Sequence, residues 1–188
     1  MAAILLTGRP GSGKTTLVRS LLEALRPPAG GFYTRETRGR DGRRTGFELV
    51  TLGAQDAATG DGQEQVATLA HISIKEPPRV GRYGVDIAAL ERVGVPAIEA
   101  AAAAGRVVVI DEIGKMELLS VAFQRAVVEV IRRHRLLFGT IMQTPHPFAD
   151  ELKAQHDVAL FELTEANRDD VRALVEAHLR AALGQLSV

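Results

Sequence analysis

The feature that most constrains this chain is a glycine-rich segment near its start, directly after the apolar run Met1–Thr7. The segment matches the pattern G-x-x-x-x-G-K-[ST], set between a predicted strand and a predicted helix, and it consists of Gly8, Arg9, Pro10, Gly11, Ser12, Gly13, Lys14, Thr15 and Thr16. Its glycines allow a tight turn that directs several backbone N–H groups at one anion, and the helix that follows adds the positive end of its dipole. We call this segment the phosphate loop, and it predicts a binding site for a triphosphate.

Two side chains of the phosphate loop have predicted chemical roles. The ammonium group of Lys14 can reach the β and γ phosphates, where we expect it to take part in catalysis. The hydroxyl group of Thr15 is a suitable ligand for Mg²⁺, the expected cofactor.

A second motif supplies carboxylates. The aliphatic residues Val107–Ile110 predict a buried strand, and Asp111 and Glu112 follow it directly. Doubly wound sheets bind ligands at the carboxyl ends of their strands, so we predict Asp111 as a Mg²⁺ ligand and Glu112 as the general base that activates water. The alternative is that Glu112 only pairs with Lys115 at the surface.

This assignment makes a topological prediction. Hydrolases that use an acid next to the metal-binding aspartate usually place one strand between the two motif strands. Direct contact between strands 2–7 and 106–110 would therefore weaken the assignment of Glu112.

Composition limits the remaining possibilities. A chain of 188 residues is long enough for one substantial core, so we expect a single domain over residues 1–188. Its 23 basic and 23 acidic residues cancel, which gives no indication of nucleic-acid binding. The sequence has no cysteine, no signal-peptide pattern and no membrane-spanning apolar window, so we expect a cytoplasmic enzyme, most simply a monomer.

Alternating strand and helix patterns predict a three-layer α/β/α sandwich with a mainly parallel sheet. An antiparallel hairpin insert is expected at about residues 30–72, with its turn at 39–42. Further expectations are an exposed loop at 53–65, an irregular segment at 73–84, a helix from Asp86, a second helix at 97–104 and a last helix capped by Thr164.

Arginines are concentrated around the predicted hairpin turn, at positions 35, 38, 40, 43 and 44. One or more of them, with Arg38, Arg43 and Arg44 as candidates, could reach a phosphate as an internal arginine finger. The alternative is a solvated charged turn, which we favour for Arg40.

Three further polar residues are candidates. Gln143 and Thr144 follow the predicted strand 136–142 and could sense the γ phosphate, although an ordinary polar strand exit fits equally well. The segment Asn167–Asp170 contains Arg168 and nearly matches N-K-x-D, a guanine-reading motif, but the start of a helix explains it more simply.

Several longer strings make the chain resemble the cancer-related nucleoside-triphosphatase family almost from end to end. They are Phe32-Tyr33-Thr34, Val80 to Val85, Ile110 to Leu118 (I-D-E-I-G-K-M-E-L), Gly139-Thr140-Ile141 and Thr164 to Arg168. The resemblance implies a RecA-like P-loop fold and Mg²⁺-dependent hydrolysis of nucleoside triphosphates such as ATP and GTP. It also makes Lys115 and Arg38 candidates without a derived role.

The sequence therefore favours a nucleoside-triphosphatase with broad base specificity. The main alternative is a nucleotide or nucleoside kinase, in which residues 35–44 would form a lid. A nucleotide-gated switch that turns over only with a partner is the third possibility.

Overall fold

The computed structural model describes residues 2–52 and 64–186. The exposed loop predicted at 53–65 lies almost wholly outside this described part. Within it, one sheet of nine strands has the order β5-β6-β4-β3-β2-β7-β8-β1-β9. The strands are β1 (Ala3–Thr7), β2 (Ala29–Arg38), β3 (Arg44–Thr51), β4 (Val66–His71), β5 (Arg79–Val80), β6 (Tyr83–Val85), β7 (Val107–Ile113), β8 (Leu137–Ile141) and β9 (Val158–Glu162).

The sheet has a parallel half and an antiparallel half. Strands β2, β7, β8, β1 and β9 run parallel, whereas β3, β4, β6 and β5 extend the sheet beyond β2 through antiparallel pairs. The predicted α/β fold with a mainly parallel core and an antiparallel hairpin is confirmed.

Helices cover both faces of the parallel half. They are α1 (Lys14–Leu25), α2 (Ile87–Ala89), α3 (Val95–Ala103), α4 (Val121–Arg132), α5 (Pro147–Lys153) and α6 (Arg168–Leu186), and a 3-10 turn lies at Glu117–Leu119. Ser120 caps α4, because its hydroxyl oxygen accepts a hydrogen bond from the backbone N–H of Phe123.

Alternate strand residues build two separate cores. On β1, Leu5 packs into a core with the insert strands and helices α3 and α4, whereas Leu6 packs into a core with α1 and α6. Both faces of β1 are thus buried, which explains why its five residues are all apolar or nearly so.

Strand β8 lies between β1 and β7, as the topological prediction required. The strands are in close contact at Gly139, where a Cβ atom would lie 1.8 Å from the carbonyl oxygen of Ile110. Only glycine fits at position 139. The residue opposite it on β7, Ile110, directly precedes Asp111.

Four sequence predictions need correction. The segment 73–84 is not wholly irregular, because β5 and the start of β6 form a small hairpin there. The helices expected from Asp86 and over 97–104 are one continuous helical run from Ile87 to Ala103, with a wide π turn at Leu90–Gly94.

The other two corrections concern the ends of elements near the candidate site. Strand β7 does not end at Ile110 but continues to Ile113, with an irregular register against β8 in between. Thr164 does not cap α6, which begins at Arg168; instead the backbone N–H of Thr164 donates to Oδ1 of Asn167 at 2.7 Å.

The close contact at Gly139 predicts a local effect on stability. Gly139→Ala should lower the free energy of unfolding by about 1–3 kcal/mol, because the added methyl group must push β7 and β8 apart. Urea denaturation measures the change. The control Gly184→Ala on α6, where the added Cβ meets nothing within 4 Å apart from the adjacent backbone of its own helix, should leave stability unchanged or raise it by up to about 1 kcal/mol. Equal stability of Gly139→Ala and the native chain would contradict this account.

Candidate active site

The phosphate loop has the backbone geometry of an anion cradle. Gly8, Gly11 and Gly13 have φ angles of 139°, 82° and 101°, which side chains other than glycine rarely adopt. Gly13 stands at the N-cap position of α1, and no side chain caps this helix end. The first N–H groups of α1 are therefore available to bind an anion.

Two cations hold the loop in place. The ammonium group of Lys14 folds back over it and donates to the carbonyl oxygens of Gly8 at 2.9 Å and Arg9 at 3.2 Å. From the other side, Nη2 of Arg168 donates to the carbonyl oxygen of Ser12 at 3.1 Å. Arg168 thus supports the loop, and the neighbouring Asn167 bonds the backbone of its own segment, donating to the carbonyl oxygen of Glu162 at 2.9 Å.

Asp111 is buried at the carboxyl end of β7, with 2% of its surface exposed. Its Oδ1 accepts a hydrogen bond from the hydroxyl group of Thr140 on β8 at 2.7 Å, whereas its Oδ2 is buried without a hydrogen-bond partner among the described residues. Burial raises the pKa of Asp111, and the hydroxyls of Thr140 and Thr15 and the charges of Lys14 and Arg19 oppose the increase.

Glu112 lines a cavity of about 340 Å³ together with Gly8, Pro10 and Lys14 of the phosphate loop. Burial raises the pKa of Glu112; the charge of Lys14 opposes this increase and that of Asp111 adds to it. Lys115 lines the same cavity, but the described residues show no ion pair between it and Glu112. The surface pairing considered as an alternative is therefore absent.

Glu117 is a site residue that the sequence analysis did not single out. It lines the same cavity, yet only 5% of its surface is exposed. Burial raises its pKa from 4.5 to about 8; the nearby charges of Glu112 and Asp111 add to this, and the backbone N–H groups of Gly114 and Glu117 oppose it. Glu117 is buried in a 3-10 turn, which no periodicity predicts, so the family string was the only sign of this residue in the sequence.

The strand exit of β8 also reaches the cavity, where Gln143 and Thr144 form part of the lining. Nε2 of Gln143 donates to Oε1 of Glu162 at 2.8 Å, so this side chain is held by the neighbouring strand β9. The structure places both residues beside the phosphate loop, and their sensing role stays a prediction.

The hairpin arginines are not brought to this cavity. Arg38 bonds Glu36 at 2.7 Å and the carbonyl oxygen of Gly42, Arg43 lies 3.7 Å from Asp41, and Arg44 bonds Glu36 and the hydroxyl group of Tyr83. None of the three arginines lines the cavity that contains Lys14 and Glu112. In this structure they stabilise the hairpin and its contact with β6.

Comparison with known proteins identifies the family. The family model described as NTPase matches residues 3–175. The chain belongs to this NTPase family.

Relatives within the NTPase family cover almost the whole chain. It is 43% identical over 168 residues to the nucleoside-triphosphatase THEP1 of Thermotoga sp. (strain RQ2), covering 89% of this chain and 90% of the relative. It is 36% identical over 182 residues to the human cancer-related nucleoside-triphosphatase, covering 88% of this chain and 90% of that protein. The family resemblance predicted from the motifs is thereby confirmed.

Solved structures of the family support the fold. The crystal structure of THEP1 from Aquifex aeolicus superimposes with a TM-score of 0.76 at 33% identity, covering 92% of this chain and 96% of that one. The solution structure of the human cancer-related nucleoside triphosphatase superimposes with a TM-score of 0.76 at 34% identity, covering 96% of this chain and 98% of that one. Among the described residues, no helix has both the length and the apolar character needed to cross a membrane.

Glu117 predicts an unusual pH dependence of stability. Between pH 4.5 and 8 the folded chain keeps a proton on Glu117 that the unfolded chain has released, so stability falls as the pH rises through this range. Glutamine at this position cannot titrate. The free energy of unfolding of Glu117→Gln should therefore fall by roughly 2–4 kcal/mol less than that of the native chain over this pH range.

Urea denaturation at pH 5 and pH 8 measures the loss for the native chain and for Glu117→Gln. The exposed control Glu151→Gln should keep the native pH dependence. If Glu117→Gln loses as much stability as the native chain between the two pH values, the carboxyl group of Glu117 is not protonated in the folded state.

Proposed function

We propose that this protein hydrolyses nucleoside 5′-triphosphates to the diphosphate and phosphate, with Mg²⁺ as cofactor and with little selectivity for the base. The single observation that carries the proposal is that Lys14 of the phosphate loop and Glu112 of β7 line one cavity, with Asp111 buried beside them. The names of the relatives favour hydrolysis over the kinase alternative.

The donor set fits Mg²⁺. Oδ2 of Asp111 is a buried carboxylate oxygen without a hydrogen-bond partner among the described residues, and the Thr15 hydroxyl is close enough to lower the pKa of Asp111. The described residues contain no cluster of three or more His, Cys, Asp or Glu side chains that could hold a metal alone. This agrees with the preference of Mg²⁺ for one or two protein ligands completed by substrate phosphates and water. When bound, the ion would neutralise charge on the phosphate oxygens.

The chain's own residues supply the other parts of phosphoryl transfer. The N–H groups of the phosphate loop bind the β phosphate, and Lys14 balances charge on the β and γ phosphates. A water molecule beside Glu112 attacks the γ phosphorus in line with the β–γ bridging oxygen. Glu112 accepts a proton from this water, and the bridging oxygen leaves with the nucleoside diphosphate. The carboxyl group of Glu112 has no hydrogen-bond partner among the described residues, so it is available to water.

The hydrogen bonds of Asn167 support the proposed broad base specificity. Selectivity requires donors and acceptors matched to one base. The amide of Asn167, which stands first in the near match to a guanine-reading motif, is already bonded at both ends to its own backbone segment. The cytoplasmic location and the monomeric state expected from the sequence stay predictions.

Glu112 can be tested by an isosteric change. Glu112→Gln should keep nucleotide affinity within a few-fold but lower kcat for phosphate release by about 10²–10⁴, because the amide cannot accept the proton from water. The exposed control Glu99→Gln on α3 should retain native kcat. A kcat of Glu112→Gln within a few-fold of the native value would reject Glu112 as the base.

Substrate range and metal dependence can be measured together. Phosphate release from ATP, GTP, CTP and UTP, without any acceptor, should give kcat/KM values within about tenfold of one another, because the Asn167 amide is already bonded to its own backbone segment and not free to read a base. Removal of Mg²⁺ with a chelator should abolish release, and added Mg²⁺ should restore it. Release that appears only after a nucleoside is added would instead indicate a kinase.

A further inference from the structure

The cavity beside the phosphate loop is larger than the terminal phosphate requires. Its volume of about 340 Å³ lies within the range of sites that hold small organic ligands. It meets the phosphate loop at Gly8, Pro10 and Lys14 but is not lined by Thr15 or Thr16. Most of its other lining residues come from the insert strands, from the turn after β7 and from the exit of β8.

This position corresponds to the γ end of a bound nucleotide. A lysine in this motif reaches the β and γ phosphates, and Glu112, the proposed base, lines the same cavity. The nucleoside is attached at the opposite end of the triphosphate, two phosphates away from γ. The space beyond the γ phosphate is therefore not needed for the base of the substrate.

The far wall of the cavity is apolar. It is formed by Phe47 on β3, Leu69 on β4, Val80 on β5, Met116 after β7 and Met142 after β8. Tyr83 packs edge-on against the ring of Phe47, with the centroids 5.3 Å apart, and the Arg44 guanidinium lies 5.2 Å from its centroid. An aromatic ring with two methionines forms a surface that suits a planar organic group.

Within the described part of the chain, the lining of the cavity offers no arginine to a further anion at this wall. Besides Lys14 and Lys115, its ionisable lining residues are the carboxyl groups of Glu112 and Glu117. The hairpin arginines are bonded elsewhere and do not line it. A second phosphate beyond γ would therefore lack the arginine contacts that usually bind one.

We propose that this apolar wall is a subsite for an uncharged planar group esterified to the γ phosphate, so that the enzyme accepts γ-phosphate esters of nucleoside triphosphates, including those in which a second nucleoside is the esterifying group. The inference rests on the proposed function, because it uses the same phosphate loop and the same attacking water. It extends the substrate class beyond simple triphosphates.

The reaction balances without any further reagent. Water attacks the γ phosphorus, a new P–O bond forms, and the bond from the γ phosphorus to the β–γ bridging oxygen breaks. Glu112 takes one proton of the water, and the electron pair of the broken bond leaves on the nucleoside diphosphate. The second product is the monophosphate ester of the planar group. A dinucleoside triphosphate would thus yield a nucleoside diphosphate and a nucleoside monophosphate.

Two synthetic esters test the subsite directly. ADP release is measured for the γ-phenyl and the γ-methyl ester of ATP, which carry the same charge and differ in the planar group. In the native enzyme, kcat/KM for the phenyl ester should exceed that for the methyl ester about tenfold or more. Phe47→Leu should lower this ratio about threefold or more, since the aromatic contact is lost. Phe161→Leu, the same change on β9 outside the cavity, should keep the native ratio.

A native ratio near one, a ratio unchanged in Phe47→Leu, or cleavage of ATP with neither ester cleaved would each overturn the subsite. If Phe47→Leu does not fold, Met116→Ala provides the same comparison. Failure to hydrolyse ATP would instead contradict the proposed function. In that case the Kd values of the two esters, measured by calorimetry with Glu112→Gln, still test the subsite. Tighter binding of the phenyl ester than of the methyl ester supports it, and equal Kd values reject it.

Discussion

The site depends on the close packing of three parallel strands. Strand β8 holds β1 and β7 at a fixed separation, and the contact between Gly139 and the carbonyl oxygen of Ile110 leaves no space for a side chain. The phosphate loop leaves the end of β1, and Asp111 and Glu112 lie at the end of β7. An ammonium group and two carboxyl groups, distant in sequence, therefore meet at one edge of a rigid sheet, which is the preorganisation that charge stabilisation in catalysis requires.

Much of this arrangement could be predicted from the sequence, because its signals are local or periodic. The phosphate loop, the aliphatic run before Asp111 and the alternation of strands with helices each follow from residue type and spacing. Hydrolases with an acid next to the metal-binding aspartate usually place one strand between the two motif strands, so a strand was expected between β1 and β7. The position of β8 confirms this expectation. What the sequence could not supply were the bounds of short elements, since β5, β6 and the extension of β7 are stabilised by pairing with distant strands.

The hairpin arginines and Glu117 show that the contacts of side chains are also hard to predict from local sequence. A cluster of arginines in sequence suggested contact with phosphate, but in the structure the neighbouring Glu36 and Asp41 pair with them first. Glu117 is the opposite case, because an acidic residue at a turn suggests a solvated surface. Its burial depends on how the turn after β7 folds back against the cavity, which is a tertiary property.

The burial of Glu117 also bears on the electrostatics of the cavity. Glu112, Glu117 and Lys14 line the cavity where a triphosphate is proposed to bind, and Asp111 is buried next to Glu112 in the chain. If all three carboxyl groups were ionised, they would repel that anion. Burial raises the pKa of all three, and for Glu117 the increase to about 8 keeps the group neutral at pH 7. A neutral Glu117 can thus line the cavity at little electrostatic cost to an anionic substrate. It also leaves the wall beyond the γ phosphate less charged, which is the environment that an uncharged planar group requires.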